Sequence, residues 1–367
     1  MGKLLVIGNG FDKMLGAKTL YSDFFSSDYY KKTREQTSKW VSSYRSLGYN
    51  EWLTQLPNSA FNCWDLLFYL ETENGALNDD SRKDNIKWCD VESVIHDSLT
   101  SHTASKIDWK TINKIVTRFM KDPSQINERD NNNLIAVFLI MVSMHIHYHT
   151  YTDFYEGILK DLNDFEKRFG QYISEITNTD EFKHKAENVS KKMYGIQDYV
   201  IIDSFNYSDF QNSSIKIRHI NGTCDNPIFG VDLRKEEESS FLSLFTKTSR
   251  RLRQDSNNLS RSFPAPLEFL DHVVVFGHSL NNMDYDYFNY LFTMLHFNSF
   301  DATKMGIIEF LYSIYDPEKE KDLRKRAADS VYDLINYYEN YINPNSQHVL
   351  INLLRFSGRL RIREWTN

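Results

Sequence analysis

Four short polar loops carry the side chains of this sequence that could do chemistry, and each follows an apolar run. They are Gly8-Asn-Gly10, Ser204-Phe-Asn-Tyr207, His219-Ile-Asn-Gly222 and Gly277-His-Ser279. Their glycines would let the backbone approach a ligand without an intervening side chain. Their amide and imidazole groups could hold hydroxyls or a water molecule. Ligands of open α/β sheets bind at the carboxyl ends of the strands, so we expect the four loops to converge on one crevice.

The first loop follows the apolar run Leu4–Ile7, which is typical of a buried parallel strand. The residues from Lys13 onward are predicted to form a helix, whose N-terminal N–H groups would favour a phosphate. A plain tight turn is the alternative. The dinucleotide fingerprint is excluded, because its third glycine position is Lys13. A P-loop is excluded as well, because Ala17 separates Gly16 from Lys18.

The elements that must position these loops alternate between strand and helix in the second half of the chain. Strands are predicted at residues 199–205, 214–220, 272–276, 306–315 and 349–356, whereas no strand-like alternation appears between about 26 and 195. This pattern predicts an α/β fold, a Rossmann-like parallel sheet with a large helical insertion. The sheet domain would comprise residues 1–25 and 196–367, and the insertion residues 26–195.

Composition restricts the class of protein. A formal net charge of −7 over 367 residues argues against non-specific nucleic-acid binding. The three cysteines are odd in number and widely separated, which favours a reducing compartment and gives neither a disulfide framework nor a zinc spacing. No apolar run is long enough to span a membrane. We therefore expect a soluble, cytoplasmic protein without a membrane contact.

Two further groups of residues offer alternatives. Glu92, on a helix predicted over residues 86–99, could reach the cleft or form a salt bridge, and the salt bridge is favoured. His145 and His149 would share one helix face while His147 points away from it. Because no partnered carboxylate pattern accompanies them, no metal site is predicted.

Several segments, taken together and in order, resemble the bacteriophage abortive infection AbiH family and, more distantly, the sirtuin-like nicotinamide-dinucleotide hydrolases. The segments that carry this resemblance are Val6–Asp12, Lys18–Phe24, Trp88–Glu92, Ser204–Tyr207, His219–Gly222, Ile228–Gly230, and Val275–Leu280 with Asp284.

The resemblance implies an NAD-like dinucleotide, as ligand or substrate, held against Gly8 and Gly10. Asn206 would lie beside the nicotinamide ribose, and Asn206 and His219 would be the catalytic pair. The remaining loop residues would complete the binding site: Asn9, Phe11, Asp12, Asn221, Gly222, Gly277, His278, Ser279 and Asp284.

The sequence departs from the sirtuin-like pattern at two positions. Asn221 stands where those enzymes have a histidine, and the nearest histidine, His219, lies about 6–7 Å away along an extended strand. Ser208 stands where they have an aspartate. Asn206 itself is expected to be an exposed loop side chain that can position water or hydroxyls but is a poor base.

Two functions remain open at this point. The first is an antiphage defence protein that binds the dinucleotide and hydrolyses its nicotinamide glycosidic bond. The alternative, favoured by Asn221, is a non-catalytic nucleotide-sensing or partner-binding module of a defence system. The sequence is also compatible with a phage-derived or defence-system protein partner and with a homo-oligomer.

Overall fold

The computed structural model describes residues 2–47, 61–73, 90–100, 151–195, 200–231, 242–255, 270–297, 306–314, 317–343 and 349–366. The chain divides into two compact units. The sheet unit contains Met1–Thr19, Ile173–Asp225 and Asn258–Asn367, and the helical unit contains Leu20–Tyr172 and Asn226–Asn257.

The sheet unit is organised around six parallel strands in the order β3-β2-β1-β6-β7-β8. These strands are β1 (Gly2–Ile7), β2 (Val200–Ser204), β3 (Ile215–His219), β6 (Leu270–Phe276), β7 (Ile307–Tyr312) and β8 (Leu360–Glu364). The two-residue strands are β4 (Gly222–Thr223) in this unit and β5 (Asn226–Pro227) in the helical unit.

The helices of the described residues also divide between the units. The sheet unit holds α1 (Asn9–Met14), α7 (Asp180–Tyr194), α9 (Tyr285–Met294), α10 (Glu320–Ile342) and α11 (Leu350–Phe356). The helical unit holds α2 (Tyr21–Ser26), α3 (Asp28–Leu47), α4 (Cys63–Glu73), α5 (Asp90–Thr100) and α8 (Lys247–Asp255), and the division falls within α6 (Tyr151–Thr177). Short 3-10 helices cover Leu242–Phe245, Asn282–Asp284 and Pro317–Lys319.

The central strands are apolar on both faces because helices cover both faces of the sheet. Leu4 and Val6 of β1 pack into one hydrophobic core with α9, α10 and α11. Leu5 and Ile7 pack into a second core on the opposite face, with α1 and α7. The four consecutive apolar residues after Lys3, with no polar alternation, are therefore what a central parallel strand requires.

The strand order reverses between β1 and β6. The strands β2 and β3 lie on one side of β1, and the strands β6, β7 and β8 lie on its other side. Counting only the six sheet strands, the order is 3-2-1-4-5-6, which is the doubly wound arrangement of Rossmann folds. The predicted α/β, Rossmann-like parallel sheet is confirmed. The carboxyl ends of β1 and β6 define the edge where such folds bind ligands.

The helical unit has an aromatic core. Phe24 of α2 packs against Phe165 and Phe169 of α6, and Phe229 contacts both residues of α6. All described elements between Asp28 and Tyr194 are helices. The compact sheet unit nevertheless includes α7, so the boundary at residue 195 stays a prediction.

Two local predictions were wrong. The segment 349–356, predicted as the last strand, forms α11, in which Leu350 and Leu354 are buried one helical turn apart. The last strand is β8, whose residues beyond Leu360 are exposed at the sheet edge. The first helix begins at Asn9, four residues before Lys13, because the extended Gly8 ends the strand in a single residue.

No described helix is long and apolar enough to cross a membrane.

Candidate functional site

The loops after β1 and β6 pack backbone against backbone. A Cβ atom on Gly8 would lie 2.6 Å from His278 Cα, and one on Gly10 would lie 2.7 Å from Gly277 Cα. Gly277 itself has φ +69°, a conformation that side chains other than glycine rarely adopt. The three glycines are therefore explained by the close approach of these two loops.

The same contact uses N–H groups that were predicted to face a ligand. Gly8 N–H donates to Phe276 O at 3.0 Å, and Gly10 N–H donates to Gly277 O at 2.8 Å. The Phe11 side chain is buried between Phe210 and Phe276 in the core. The N–H groups of Gly8 and Gly10 are therefore already paired within the protein.

Asp12 is the centre of a buried polar network that joins the first two loops. It is 1% exposed, and its Oδ1 accepts hydrogen bonds from Asn206 Nδ2 and Ser208 Oγ, both at 2.9 Å. Removal from water raises the pKa of Asp12 to about 7, although the neighbouring Ser208, Asn206 and Thr19 act in the opposite direction. The Thr19 hydroxyl itself donates to Asn9 Oδ1 at 2.6 Å.

Asn206 connects these loops and is not the exposed side chain that was expected. It is 1% exposed, and its Nδ2 donates to Gly8 O at 3.0 Å as well as to Asp12. Its Oδ1 is buried without a hydrogen-bond partner. The expectation of exposure was wrong because the polar turn after β2 folds inward onto the loop of β1.

His219, the last residue of β3, contacts the second loop. Its Nδ1 lies 3.3 Å from Asn206 O, and its Nε2 is buried 3.6 Å from Asp209 Oδ1. The neighbouring His219 lowers the pKa of Asp209. Each ring nitrogen of His219 thus faces an oxygen atom of the protein, at 3.3 and 3.6 Å.

The third loop is tied to the second by its asparagine. Asn221 is buried, and its Nδ2 donates to Phe205 O at 3.3 Å. Gly222 follows with φ +85°. Asn221 thus holds the turn after β3 against the end of β2.

The fourth loop contains a buried histidine–carboxylate pair. His278 Nε2 lies 3.5 Å from Asp284 Oδ2, and its Nδ1 accepts the Leu280 N–H at 2.9 Å. This hydrogen bond supports Leu280, which has φ +54°. The ring also stacks edge-on against Phe205 at 4.3 Å between centroids, and Ser279 is exposed. His278 therefore fixes the loop, and its Nδ1 is already occupied.

The four loops meet at the carboxyl edge of the sheet through these contacts. Sequence reasoning did not identify Thr19 or Asp209 as members of the group. The separation of ten residues between Asn9 and Thr19, and between Asp209 and His219, matches no sequence motif that would have indicated a contact. The Ser208 hydroxyl, noted only as a departure from the sirtuin-like pattern, is a direct partner of Asp12.

A second buried polar cluster lies within the helical unit. Glu92 Oε2 is 2.9 Å from Lys247 Nζ, as the salt-bridge interpretation of Glu92 predicted. Glu166 pairs with Arg250, with 2.6 Å between Oε2 and Nη2, and accepts the Phe229 N–H. Burial raises the pKa of Glu166. The backbone of Phe229, in the segment after β5, is thus hydrogen-bonded to Glu166 of α6 and to Arg250 of α8.

His145, His147, His149 and Trp88 lie outside the described residues. Within the described ranges, no group of three histidine, cysteine or acidic side chains is placed to hold a metal ion.

Two buried side-chain atoms at the sheet edge have no hydrogen-bond partner. Asn206 Oδ1 is a buried acceptor and Asn9 Nδ2 a buried donor, and neither has a hydrogen-bond partner. Leaving such atoms unpaired costs about 1–3 kcal/mol each. A hydroxyl group could donate to the first atom, and an oxygen atom could accept from the second.

Compared with models of known protein families, the chain matches the model described as "Bacteriophage abortive infection AbiH" over residues 4–305. The match includes all four loops. No curated protein and no solved structure among those compared matches the chain.

Proposed function

We propose, on the premise that this chain belongs to the bacteriophage abortive infection AbiH family, that its role in phage defence depends on a nicotinamide dinucleotide bound at the carboxyl edge of the sheet. The family match supports the role in abortive infection. The observation that supports a ligand at this edge is a pair of buried atoms without hydrogen-bond partners, Asn206 Oδ1 and Asn9 Nδ2. Both belong to loops near the reversal of strand order.

The catalytic form of this proposal is hydrolysis of the nicotinamide glycosidic bond. Such cleavage passes through an oxocarbenium-like transition state, so the protein mainly has to orient a water molecule and hold the ribose. Asn206 Oδ1 would accept from a ribose hydroxyl or from that water. Asp12 would fix the orientation of the Asn206 amide, since it accepts a hydrogen bond from Asn206 Nδ2.

The second candidate is a nucleotide-sensing or partner-binding module without turnover. The contacts of His219 favour it, because both ring nitrogens face oxygen atoms of the protein. Asn221 favours it as well, because its amide holds a turn. In this form NAD would be a ligand that controls a partner.

The two candidates share a cytoplasmic setting. The described cysteines, Cys63 and Cys224, are free thiols, which suits a reducing compartment. A phage-derived trigger, a second defence protein or another copy of the chain would be the partner.

The test is calorimetric titration of purified protein with NAD, followed by measurement of nicotinamide release. Asn206→Ala should weaken binding by at least tenfold and, for a hydrolase, lower turnover by roughly 10²–10⁴. Asn178→Ala is the matched control, because Asn178 is exposed and its Oδ1 accepts a hydrogen bond from Lys183.

Binding without nicotinamide release would favour the sensing module. Full binding by a folded Asn206→Ala protein would show that the proposed site is in the wrong place. Because Asn206 is buried, circular dichroism and a melting curve must accompany each variant.

A further inference from the structure

The helix α11 is apolar on the side that faces the core and also on the side that faces solvent. Its buried residues, Leu350 and Leu354, belong to the hydrophobic core that α11 shares with α10 and the sheet. The two polar residues of the helix are Asn352 and Arg355. A helix that is apolar all round is normally buried on all sides, so the exposed side of α11 is a candidate interaction surface.

Three large apolar side chains lie on this exposed side, and together they are named the outer stripe. They are Val349, directly before the helix, Leu353 and Phe356, with exposed fractions of 50%, 39% and 86%. Because they are four and three residues apart, they lie on one face of the helix. Ile342, at the end of α10, is also exposed. It lies close to the start of the stripe, because Glu339 of the preceding turn accepts the Val349 N–H on Oε1 at 2.8 Å.

The neighbouring helix α10 shows that a solvated surface of this unit is charged. Seven of the ten residues from Glu320 to Asp329 are charged, and all seven are exposed. By contrast, Arg355 is the one charged residue from Val349 to Phe356. Loss of charge together with large apolar side chains distinguishes the core of an interface from the rest of a protein surface. The outer stripe has this composition.

The edge strand β8, which follows α11, is protected against pairing with a second copy of itself. Antiparallel pairing about a two-fold axis would be centred on Arg361, Ile362 or Arg363. A centre at Ile362 places Arg361 opposite the partner's Arg363, and either other centre places one arginine opposite its own copy. Like charges directly opposite each other destabilise a sheet. A second copy would therefore bind through α11 and not by extending the sheet.

From these observations we infer that the outer stripe binds a second copy of this chain, with two α11 helices packed antiparallel about a two-fold axis at Leu353. In such a pair, Leu353 meets the partner's Leu353, and Phe356 meets the partner's Val349. The largest side chain of the stripe thus fills the space beside the smallest. A two-fold axis brings each surface against its own copy, and the stripe has no charge that would repel itself.

The area of the surface indicates a weak dimer. The outer stripe and Ile342 expose apolar surface on the order of 400 Å² per copy, and a second copy contributes as much again. The sum, roughly 800 Å², is below the ~1,200 Å² of stable complexes and within the range of transient ones. We expect a dimer that dissociates at micromolar concentration.

This surface lies at the other edge of the sheet from the four loops of the candidate site. The helix α11 ends four residues before β8 begins, so it lies near the amino ends of the parallel strands. Between them, Arg359 O accepts the N–H of Ile308, the second residue of β7, at 2.8 Å. The four loops follow the carboxyl ends instead. The inference is therefore independent of the dinucleotide, and the proposed site stays accessible in the dimer.

Sedimentation equilibrium of the purified protein from about 1 to 200 µM tests the dimer. We expect the average mass to rise with concentration from that of one chain, 43.4 kDa, toward that of two. Phe356→Asp removes the largest apolar side chain of the stripe and should remain monomeric throughout. Because Phe356 is 86% exposed, this variant should keep the melting temperature of the wild type.

The matched control is Leu252→Asp on α8, which introduces the same charge at a leucine that is 68% exposed and outside the stripe. It should dimerise as the wild type does. Leu353→Asp is a second test variant, because it places two carboxylates against each other at the axis, and it should be monomeric as well.

Cysteine cross-linking tests the arrangement of the helices. Under mild oxidation Leu353→Cys should form a covalent dimer, because the two copies of this residue meet at the axis. Phe356→Cys alone should not, since its two copies lie about 9 Å apart along the helices, at ~1.5 Å per residue, beyond the ~7 Å that a disulfide spans. A mixture of Val349→Cys and Phe356→Cys should cross-link again. Wild-type protein measures any background from Cys63 and Cys224.

A single chain at every concentration would overturn the inference. A concentration-dependent dimer that persists in both Phe356→Asp and Leu353→Asp would show that another surface forms it, and would overturn the inference equally. Cross-linking of Phe356→Cys with its own copy, without cross-linking of Leu353→Cys, would contradict the antiparallel pair.

Discussion

Asp12 is a carboxyl group that folding removes from water, and this has a consequence for stability. Its pKa rises from 3.8 to about 7 on folding. Between these values the folded protein holds a proton that the unfolded chain releases, so this group makes the protein less stable as the pH rises from about 4 to about 7. A change of about three pKa units corresponds to about 4 kcal/mol.

Asp12→Asn removes this titration, and we expect the variant to lose less stability than the wild type between pH 4 and pH 8. Denaturant unfolding at each pH measures the difference. Asp209→Asn is an informative control, because the pKa of Asp209 is lowered and its contribution has the opposite sign. Parallel stability curves for wild type and Asp12→Asn would contradict the prediction.

At the scale of single residues, the sequence indicated the loops but not the direction of their side chains. Asn206 was recognisable as a polar group after a strand, yet its burial depends on the loop of β1, almost two hundred residues away. The partnership between Asp12 and Ser208 is equally long-range. Such contacts follow from strand order, which no local pattern encodes.

The packing of the β1 and β6 loops can be tested with a pair of glycines that differ in one respect. Gly277 and Gly358 have φ of +69° and +70°. A Cβ atom on Gly277 would lie 2.5 Å from Phe11 N, whereas one on Gly358 would meet no atom within 4 Å. Alanine at either position therefore has the same backbone strain but a different packing cost.

We expect Gly358→Ala to destabilise the protein by about 1–2 kcal/mol through backbone strain alone. Gly277→Ala should cost a further 1–3 kcal/mol, approximately, because the two loops must separate. Chemical denaturation compares the variants directly. Equal losses would mean that the loop contact contributes little to stability.

The buried ion pair of the helical unit gives a third prediction. Glu166 and Arg250 are both almost fully buried, and the pair also bonds to the backbone of Phe229. Arg250→Met would leave the Glu166 carboxylate buried without its partner, which typically costs 3–5 kcal/mol. Replacing both residues, Glu166→Leu with Arg250→Met, should recover much of that loss.

The exposed pair Glu181–Lys185 provides the comparison, since water screens such surface pairs and they contribute little to stability. Melting curves of Arg250→Met, the double variant and Lys185→Met separate the two cases. A double variant less stable than Arg250→Met would contradict the prediction.

At the scale of elements, long apolar runs were reliable and short mixed segments were not. The strand Leu270–Phe276 was evident from its consecutive valines, because a central parallel strand is apolar on both faces. The segment that forms α11 contains equally apolar residues, but its buried positions are four apart. Distinguishing the two requires knowing which side chains reach the core.

At the scale of the whole molecule, alternation of strands and helices predicted the parallel sheet, while the division into units did not follow from it. The helix α7 belongs to the compact sheet unit although its sequence continues the helical stretch before it. Membership in a unit is set by contacts with β1 and β2, which periodicity cannot reveal. Any binding site at the sheet edge likewise depends on loops that come together only in the folded protein.

The last prediction concerns the protein inside an infected cell. If defence proceeds by hydrolysis of NAD, cellular NAD should fall after infection in cells that express the wild-type protein, and plaque numbers should fall with it. Asn206→Ala, which removes the proposed acceptor of the ribose or water, should abolish both effects at equal protein abundance. Asn178→Ala should preserve both, because the Asn178 side chain is exposed and hydrogen-bonds to Lys183, which is not part of the network around Asp12.

The two measurements separate the candidate functions. Loss of protection by Asn206→Ala while wild-type cells keep their NAD after infection would favour the sensing module, in which the dinucleotide controls a partner. Retained protection and NAD loss in Asn206→Ala would show that the buried network after β1 and β2 does not take part in defence. The site would then have to be sought elsewhere in the chain, because the unpartnered Asn206 Oδ1 is the acceptor on which the proposal depends.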